Sequence, residues 1–472
     1  MSNPWSIPDS WRWATMGEIA DVIGGGTPRT DNPEFFGGKI PWITPADLSG
    51  YTSKTISHGA RNITQSGLDN SGARMMPTGS VLFSSRAPIG YVAIAANPVS
   101  TNQGFKSFVL RDGIFPDFVY YYLQSARELI VNYASGTTFL EISGKKAAQI
   151  PFPVAPLQEQ ECIVKEIEKQ FTRLEAGVSA LKHIQANLKR YRSSILKAAC
   201  EGRLVPTEAE LTRQEGRSYE SADVILKRTS KGALHKNRRD DNKKDKLHHN
   251  QETSNTNELP RLPKGWAWTA PKNLALSDNN AICAGPFGTI FKAKDFRPTG
   301  IPIIFLRHVA PGKYLTRKPG FMDAKKWNEL FKPYSVYGGE LLITKLGDPP
   351  GVCAIYPQDI GPAMVTPDVI KMSVNEKLAS PKFLMCYFNS ETSRHYATGV
   401  AFGTTRLRLT IPIFRDLPIP LPPLAEQHRI VSEVERRLSI IDELEAIVAA
   451  NLKRAERLRQ AILHKAFTGQ LV

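Results

Sequence analysis

Cysteine is scarce and scattered in this chain: Cys162, Cys200, Cys283, Cys353 and Cys386 are the only five, and no two stand at C-x-x-C spacing. That excludes a thiolate zinc clip or a local redox couple, so all five are read as reduced thiols. Histidine is equally dispersed, and its one adjacent pair, His248 and His249, lies in a polar charged stretch, so no metal is expected. No segment approaches the roughly eighteen uninterrupted apolar residues of a membrane span, and MSNPWSIPDSWRW carries neither a basic leader nor an apolar run. The expectation is a folded cytoplasmic protein. Catalytic signatures are missing as well. No G-x-x-x-x-G-K-[ST] loop occurs, and Gly24-Gly25-Gly26-Thr27-Pro28 lacks that spacing and its lysine. Nor is there a nucleophile, base and orienting acid that could be defended as a set.

Negative charge is in deficit, with 61 Lys and Arg against 45 Asp and Glu, a net +16. Such an excess points to a polyanionic partner, because neutralising phosphates releases condensed counterions. Part of it is local. From Lys227 to Lys246 nine basic residues face three aspartates, which places +6 in one polar segment and leaves +10 for the rest. A run of this kind reads first as a solvated linker.

What the chain does have is its own ending twice. GTTFLEIS, IPFPVAPLQEQECIVKEIEKQ and SILKAACEGRLV close at Val205; GTTRLRLT, LPIPLPPLAEQHRIVSEVERR and AILHKAFTGQLV close at Val472. Thr137 and Thr404, Glu159 and Glu426, Gln160 and Gln427, Leu204 and Leu471 all keep one offset, without a gap over about seventy residues. Weaker echoes extend upstream: SIPDSWRW in RLPKGWAW, GGKIPWITPADL in PTGIPIIFLRHV, and GSVLFSSRAPIGYVAIA in GELLITKLGDPPGVCAI. The chain is two copies of one unit, about 6–205 and 261–472, joined by a charged, flexible connector over 206–260.

Within each unit, Gly and Pro break the first 145 or so residues into short runs such as VLFSS, YVAIA, IPIIFL and LLIT, which read as strands with short helices between them. The fold class is α+β. Each domain leaves through a proline-rich extended stretch, IPFPVAP or LPIPLPP, read as a stiff spacer. After Pro156 and Pro423 the period changes. Ile163, Ile167, Phe171, Leu174, Val178, Leu181, Leu188 and Ile195 recur at helical spacing, as do Ile430, Val434, Leu438, Ile441, Leu444, Val448 and Leu452. Two long amphipathic helices with coiled-coil character are expected, each too narrow in its apolar seam to stand alone, and the other copy is the obvious partner. Antiparallel packing would hold the preceding domains at opposite ends. The resulting layout is 1–152 and 261–419 as globular domains, 153–205 and 420–472 as spacer helices, and 206–260 as connector.

Basic and amide side chains beside the turns are candidates for base reading, Arg and Lys for guanine, Asn and Gln for adenine. They are Arg29, Arg86, Asn102, Gln103 and Lys106 in the first unit, and Lys292, Arg307, Lys345, Arg406 and Arg408 in the second. Asp348-Pro349-Pro350-Gly351 comes near the D/N-P-P-aromatic signature of amino-methyltransferases, but Gly stands where the aromatic should be. The equivalent Ala87-Pro88-Ile89-Gly90 keeps only one proline and the glycine, so a turn explains both. A self-sufficient adenine methyltransferase and a non-specific coiled-coil scaffold for DNA remain the competing readings.

GGGTP, SSRAPIG, TNQGFK, the two PL-x-EQ helix starts, EGRLVPTEAEL and the GQLV ending together resemble the specificity subunit of Type I restriction-modification enzymes. The resemblance covers essentially the whole chain. It implies two target-recognition domains that each read half of a bipartite, asymmetric site in double-stranded DNA, separated by an antiparallel coiled coil. It also implies a subunit without catalysis or a cofactor of its own. Two methyltransferase subunits using S-adenosylmethionine and translocating endonuclease subunits using ATP and Mg would be recruited to it. On this reading Glu159, Gln160, Glu426 and Gln427 mark the helix starts where partners dock. The halves should read unlike sequences, because Ser85-Arg86-Ala87-Pro88-Ile89 faces Lys345-Leu346-Gly347-Asp348-Pro349-Pro350.

Overall fold

The duplication in sequence becomes a duplication of topology. A computed structural model describes residues 4–136, 140–234, 259–286, 291–292, 295–318, 320–347, 349–401, 403 and 407–472. It forms two compact units, Met1–Ile184 with Ile447–Val472, and Gln185–Ala446. The division falls within both long helices.

In the first unit the strands Ala20–Gly24, Lys106–Leu110, Val81–Phe83, Val92–Ala95 and Thr55–Ile56 make a five-stranded sheet in that order. Arg61–Ile63, Phe36–Ile43 and Ser100–Thr101 make a second one. In the second unit Ile282–Ala284, Val369–Met372, Leu341–Thr344 and Cys353–Ile355 reproduce the first four positions of that order. Its other sheet contains the same parallel pairing: Ile303 lies against Met364 and Ile304 against Val365, as Trp42 lies against Ser100 and Ile43 against Thr101. The central strands VLF and LLIT are buried along their whole length, which is why they read as continuous apolar runs rather than alternating ones.

The proline-rich exits are strands, not spacers. Pro151–Val154 pairs antiparallel with Arg12–Thr15, and Ile419–Leu421 with Ala267–Thr269, so each domain is closed by its own first and last segments. The Met16 amide donates to the Ile150 carbonyl, which sets the parity of the ladder: residues 150, 152 and 154 face the partner strand. Pro151 and Pro153 then fall on the open side, where a missing N–H costs nothing. The Tyr122 hydroxyl donates to the Pro151 carbonyl, and in the other copy Tyr387 does the same to Pro418.

Two 44-residue helices follow, α1 (Leu157–Cys200) and, at the end of the chain, α4 (Leu424–Phe467), each about 66 Å long at 1.5 Å per residue. They pack antiparallel. In the first unit Glu175 pairs with Arg459 at 3.1 Å, and that guanidinium stacks on Phe171, 4.0 Å from the ring centroid. In the second, Arg192 binds Asp442 and, at 3.1 Å, Glu445. Every residue expected on the α1 seam is buried or half-buried, and on α4 all are except Leu444, which stays 42% exposed. Both helices end at a left-handed glycine. Gly202 and Gly469 have φ of +68° and +69°, and a Cβ on Gly469 would sit 2.1 Å from Pro8 Cγ.

Part of the connector is folded, which corrects its reading as a flexible segment. α2 (Glu208–Glu215) opens with a Thr207/Glu210 capping box and stops at left-handed Gly216; α3 (Ala222–Leu234) follows. EGRLVPTEAEL therefore encodes a helix start, and Thr207, Glu208, Thr212, Ala222 and Ile225 are buried. The rest of the charged run, with His248 and His249, lies outside the described residues.

Two outcomes follow. Gly469→Ala should lower stability by about 1–2 kcal/mol from its left-handed backbone alone, more once Pro8 is displaced, as read by urea unfolding. Asp442 is held below the usual carboxylate pKa first by its hydrogen bond from Arg192, with Lys313 adding a smaller pull. Its contribution is therefore complete above the unfolded value and disappears as pH falls through the lowered folded one. Wild type should exceed Asp442→Asn in stability at neutral pH, and the two unfolding midpoints should converge in acid.

Candidate nucleic-acid interface and helix-start framework

The turn after the central strand carries different chemistry in the two copies. In the first unit Ser84 and Ser85 are fully buried and Arg86 emerges next, its backbone bridged antiparallel to Glu141. The Ile142 amide donates to the Ser85 carbonyl at 3.0 Å, so the segment at Glu141 and Ile142 returns to close the turn. Arg86, Asn102, Arg127, Leu140 and Glu141 line a cleft of about 890 Å³ there. Glu141 accepts two cations, Arg86 at 3.6 Å and Lys106 at 3.7 Å.

The second unit closes the same way with different groups. Leu346 bridges to Arg408, and the Leu409 amide donates to the Lys345 carbonyl at 2.8 Å. Arg408 pairs with Asp368 at 3.8 Å. Lys345 is buried, and that burial, with Arg408 adding to it, lowers its pKa below the usual lysine value while Asp368 pulls the other way. Lys345 thus belongs to the wall of the turn rather than to an exposed reading surface.

The remaining candidates are spread more widely. Arg29 is exposed but forked onto Asp31, with Nη2 to Oδ2 at 2.8 Å and Nε to Oδ1 at 3.2 Å. Asn102 Oδ1 accepts the Gly104 amide at 2.9 Å, which fixes the orientation of its side-chain amide. Gln103 is exposed, and its carbonyl accepts Lys106 Nζ at 3.4 Å. Lys292 is exposed; Arg307 lies over the Phe305 ring at 4.1 Å and donates to the Lys318 carbonyl. Arg406 and Asp348 lie outside the described residues. The structure brings Arg86, Asn102 and Lys106 together around Glu141, and Lys345 and Arg408 around Asp368. Arg127 and Glu141 were missed in the sequence, where the only signal was the inversion of Glu141 to Arg408 at the repeat offset.

The two helix starts share one framework. Trp11 Nε1 donates to Glu159 Oε1 at 2.8 Å, and Trp266 Nε1 to Glu426 Oε1 at 2.9 Å. The next residue anchors three backbone groups. Gln160 accepts the Phe115 amide and donates to the Gly113 and Ala155 carbonyls; Gln427 accepts the Ser380 amide and donates to Leu378 and Pro422. Gln160, Glu426 and Gln427 have no exposed surface and Glu159 is half-buried. Their side chains pin each helix to its own domain, and among the four only Glu159 keeps exposed surface.

The family model of the Type I restriction modification DNA specificity domain matches residues 8–183 and 322–454, more than half of the chain. The chain belongs to this family. The specificity subunit of the EcoBI Type I restriction enzyme from Escherichia coli is 24% identical over 99% of this chain and 87% of its own length. That of MjaIX from Methanocaldococcus jannaschii is 42% identical over 158 residues, 33% of this chain and 36% of that relative. Among solved structures, the HsdS subunit from Thermoanaerobacter tengcongensis aligns with a TM-score of 0.54 at 18% identity, covering 99% of both chains. A chain from work on assembly and conformational transition of the type I R-M system aligns at 0.64 with 17% identity, covering 99% of this chain and all of that one. These neighbours share the fold.

As a Type I specificity subunit, the chain is a non-catalytic component of its system. Among the described residues no helix is long and apolar enough to cross a membrane. For this specificity subunit, Asn102→Asp should keep both the Gly104 hydrogen bond and the melting temperature. Asn102→Ala should cost about 1 kcal/mol. Thermal unfolding of the two variants beside wild type checks both outcomes.

Proposed function

We propose that this specificity subunit reads a bipartite, asymmetric site in double-stranded DNA, residues 1–152 recognising one half and residues 261–419 the other. The single observation that supports this most is a repeated topology whose closing turn has been rebuilt with different charges in each copy. A framework kept the same while its turn diverges is what two readers of unlike sequence need. The net charge of +16 supplies attraction to the phosphate backbone regardless of sequence. The 44-residue helices set the number of unread base pairs between the half-sites.

The subunit carries no cofactor of its own in this reading. Two methyltransferase subunits that use S-adenosylmethionine dock on it, and endonuclease/translocase subunits driven by ATP and Mg join that core in the cytoplasm. Ile440 and Leu444, one turn apart on α4 and 45% and 42% exposed, offer an apolar contact for such a partner helix. Selection of bound duplexes from a random pool should return a two-part motif with a fixed gap. Replacing residues 1 to 150 by those of a relative should change one part only, and adding a heptad to each of α1 and α4 should change the gap. A switch in both parts, or an unaltered gap, would refute the assignment.

A further inference from the structure

We infer that Arg86 is the guanine-reading side chain of the first unit and that Glu141 is the positioning residue that aims it. The inference rests on the DNA-reading assignment above and names the chemistry of one of its contacts. Three independent features of the site converge on Arg86.

The first is placement. Arg86 follows two buried serines at the end of a central strand, its backbone is bridged to Glu141, and the neighbouring Ile142–Ser85 hydrogen bond fixes the same crossing. Ala87 after it sits at φ +48°, a left-handed conformation unusual for a residue with a Cβ and found where surroundings over-determine the chain. The side chain therefore starts from a rigid point and opens into the cleft. Base reading requires such a start, because a fork misaimed by an ångström loses its second hydrogen bond.

The second is the state of its donors. At 3.6 Å, Arg86 Nη1 and Glu141 Oε2 form an ion pair but not a hydrogen bond. Among the described residues the guanidinium makes no hydrogen bond, so the fork that matches guanine O6 and N7 is unspent. Glu141 is held from its other side by Lys106 at 3.7 Å. One carboxylate between two cations can fix the direction of the guanidinium without occupying its fork.

The third is elimination within the unit and across the repeat. Arg29 is forked onto Asp31, and Asn102 carries an amide, which matches adenine rather than guanine. In the second copy the bridged pair is Leu346 and Arg408, with the acid moved to Asp368. An apolar residue stands where Arg86 stands, so the Arg86 contact has no counterpart at the equivalent position of the second unit.

The test uses the full-length chain on a pool of random duplexes, with wild type, Arg86→Ala, Arg86→Lys and Glu141→Gln in parallel and thermal melting to confirm folding. Wild type should select a G·C pair at one position of one half-site. Arg86→Ala should lose discrimination at that position alone, by roughly 5- to 150-fold. Arg86→Lys should keep overall affinity but lose most of that discrimination, since the charge stays and the fork does not. Glu141→Gln should select the same base less sharply. If Arg86→Ala weakens all sequences equally and lowers the salt dependence by about one phosphate, Arg86 holds the backbone and the inference fails. Unchanged preference in all three variants overturns it too, while leaving the two-reader assignment standing if wild type still yields a bipartite motif. A wild type that yields no motif overturns both.

Discussion

A buried glutamine at the first turn of each long helix holds the architecture together. Gln160 and Gln427 use the amide in full: its oxygen takes a backbone N–H from the domain and its nitrogen gives to two carbonyls, one from the domain and one from the proline-rich strand. Leaving any of these groups unpaired away from water costs about 1–3 kcal/mol, so the cheapest arrangement is the one with helix, strand and domain locked at a fixed angle. The preceding glutamate, bonded to a tryptophan at the start of the unit, ties the first segment to the same point. Three segments distant in sequence meet at two adjacent residues.

That lock explains why the copies could diverge where they did. Several polar contacts survive in the second copy with the charges exchanged between positions. Asp117 and Glu168 flank Lys54 in the first unit, whereas Lys382 pairs with Glu435 in the second, the acid keeping its helical position and Asp117 giving way to Lys382. At the turn, Glu141 gives way to Arg408 and the acid reappears as Asp368. Partly exposed ion pairs contribute little to stability, so their sign can be rewritten at low cost. The glutamine network is buried and neutral and admits no such exchange.

The duplication, the fold class, both long helices and nearly all of their seams were legible in the sequence because periodicity and repeat offset are written residue by residue. The role of PL-x-EQ was not. The motif was visible, but whether a Gln faces a partner or its own domain depends on Phe115, Gly113 and Ala155 in one copy and Ser380, Leu378 and Pro422 in the other. Their carbonyls and amides have no signature of their own. The proline-rich exits misled for a related reason: proline excludes a helix, yet alternate prolines on one open edge leave a strand intact. Composition likewise hid α2, whose capping box sits inside a region read as a charged, flexible connector. Of the base-reading candidates, the sequence supplied the residue types, whereas the hydrogen-bonded fork of Arg29 on Asp31 separates it from Arg86, whose ion pair leaves its donors unspent.

The two frameworks are alike without being equivalent. Around Glu426 the start of α2 supplies a further donor, the Glu208 amide at 2.8 Å, and Glu208 itself is bound by Arg217 and Arg429, each at 2.6 Å. Burial raises the pKa of Glu426 although the Glu208 amide and Trp266 oppose it; at Glu208 the two guanidiniums outweigh burial and lower it. Two acids can sit together out of water here only because two arginines accompany them, and removing one would leave the others uncompensated. Cys162 occupies the position of Arg429 in the first copy, so Glu159 cannot have the same charged cover. The helix start of the second unit is thus sealed by its own connector, and that of the first remains half-buried. The two helix starts share one backbone plan and differ in their polar chemistry. The connector, far from being a passive link, is the element that makes the copies unequal at the point where their backbones are most alike.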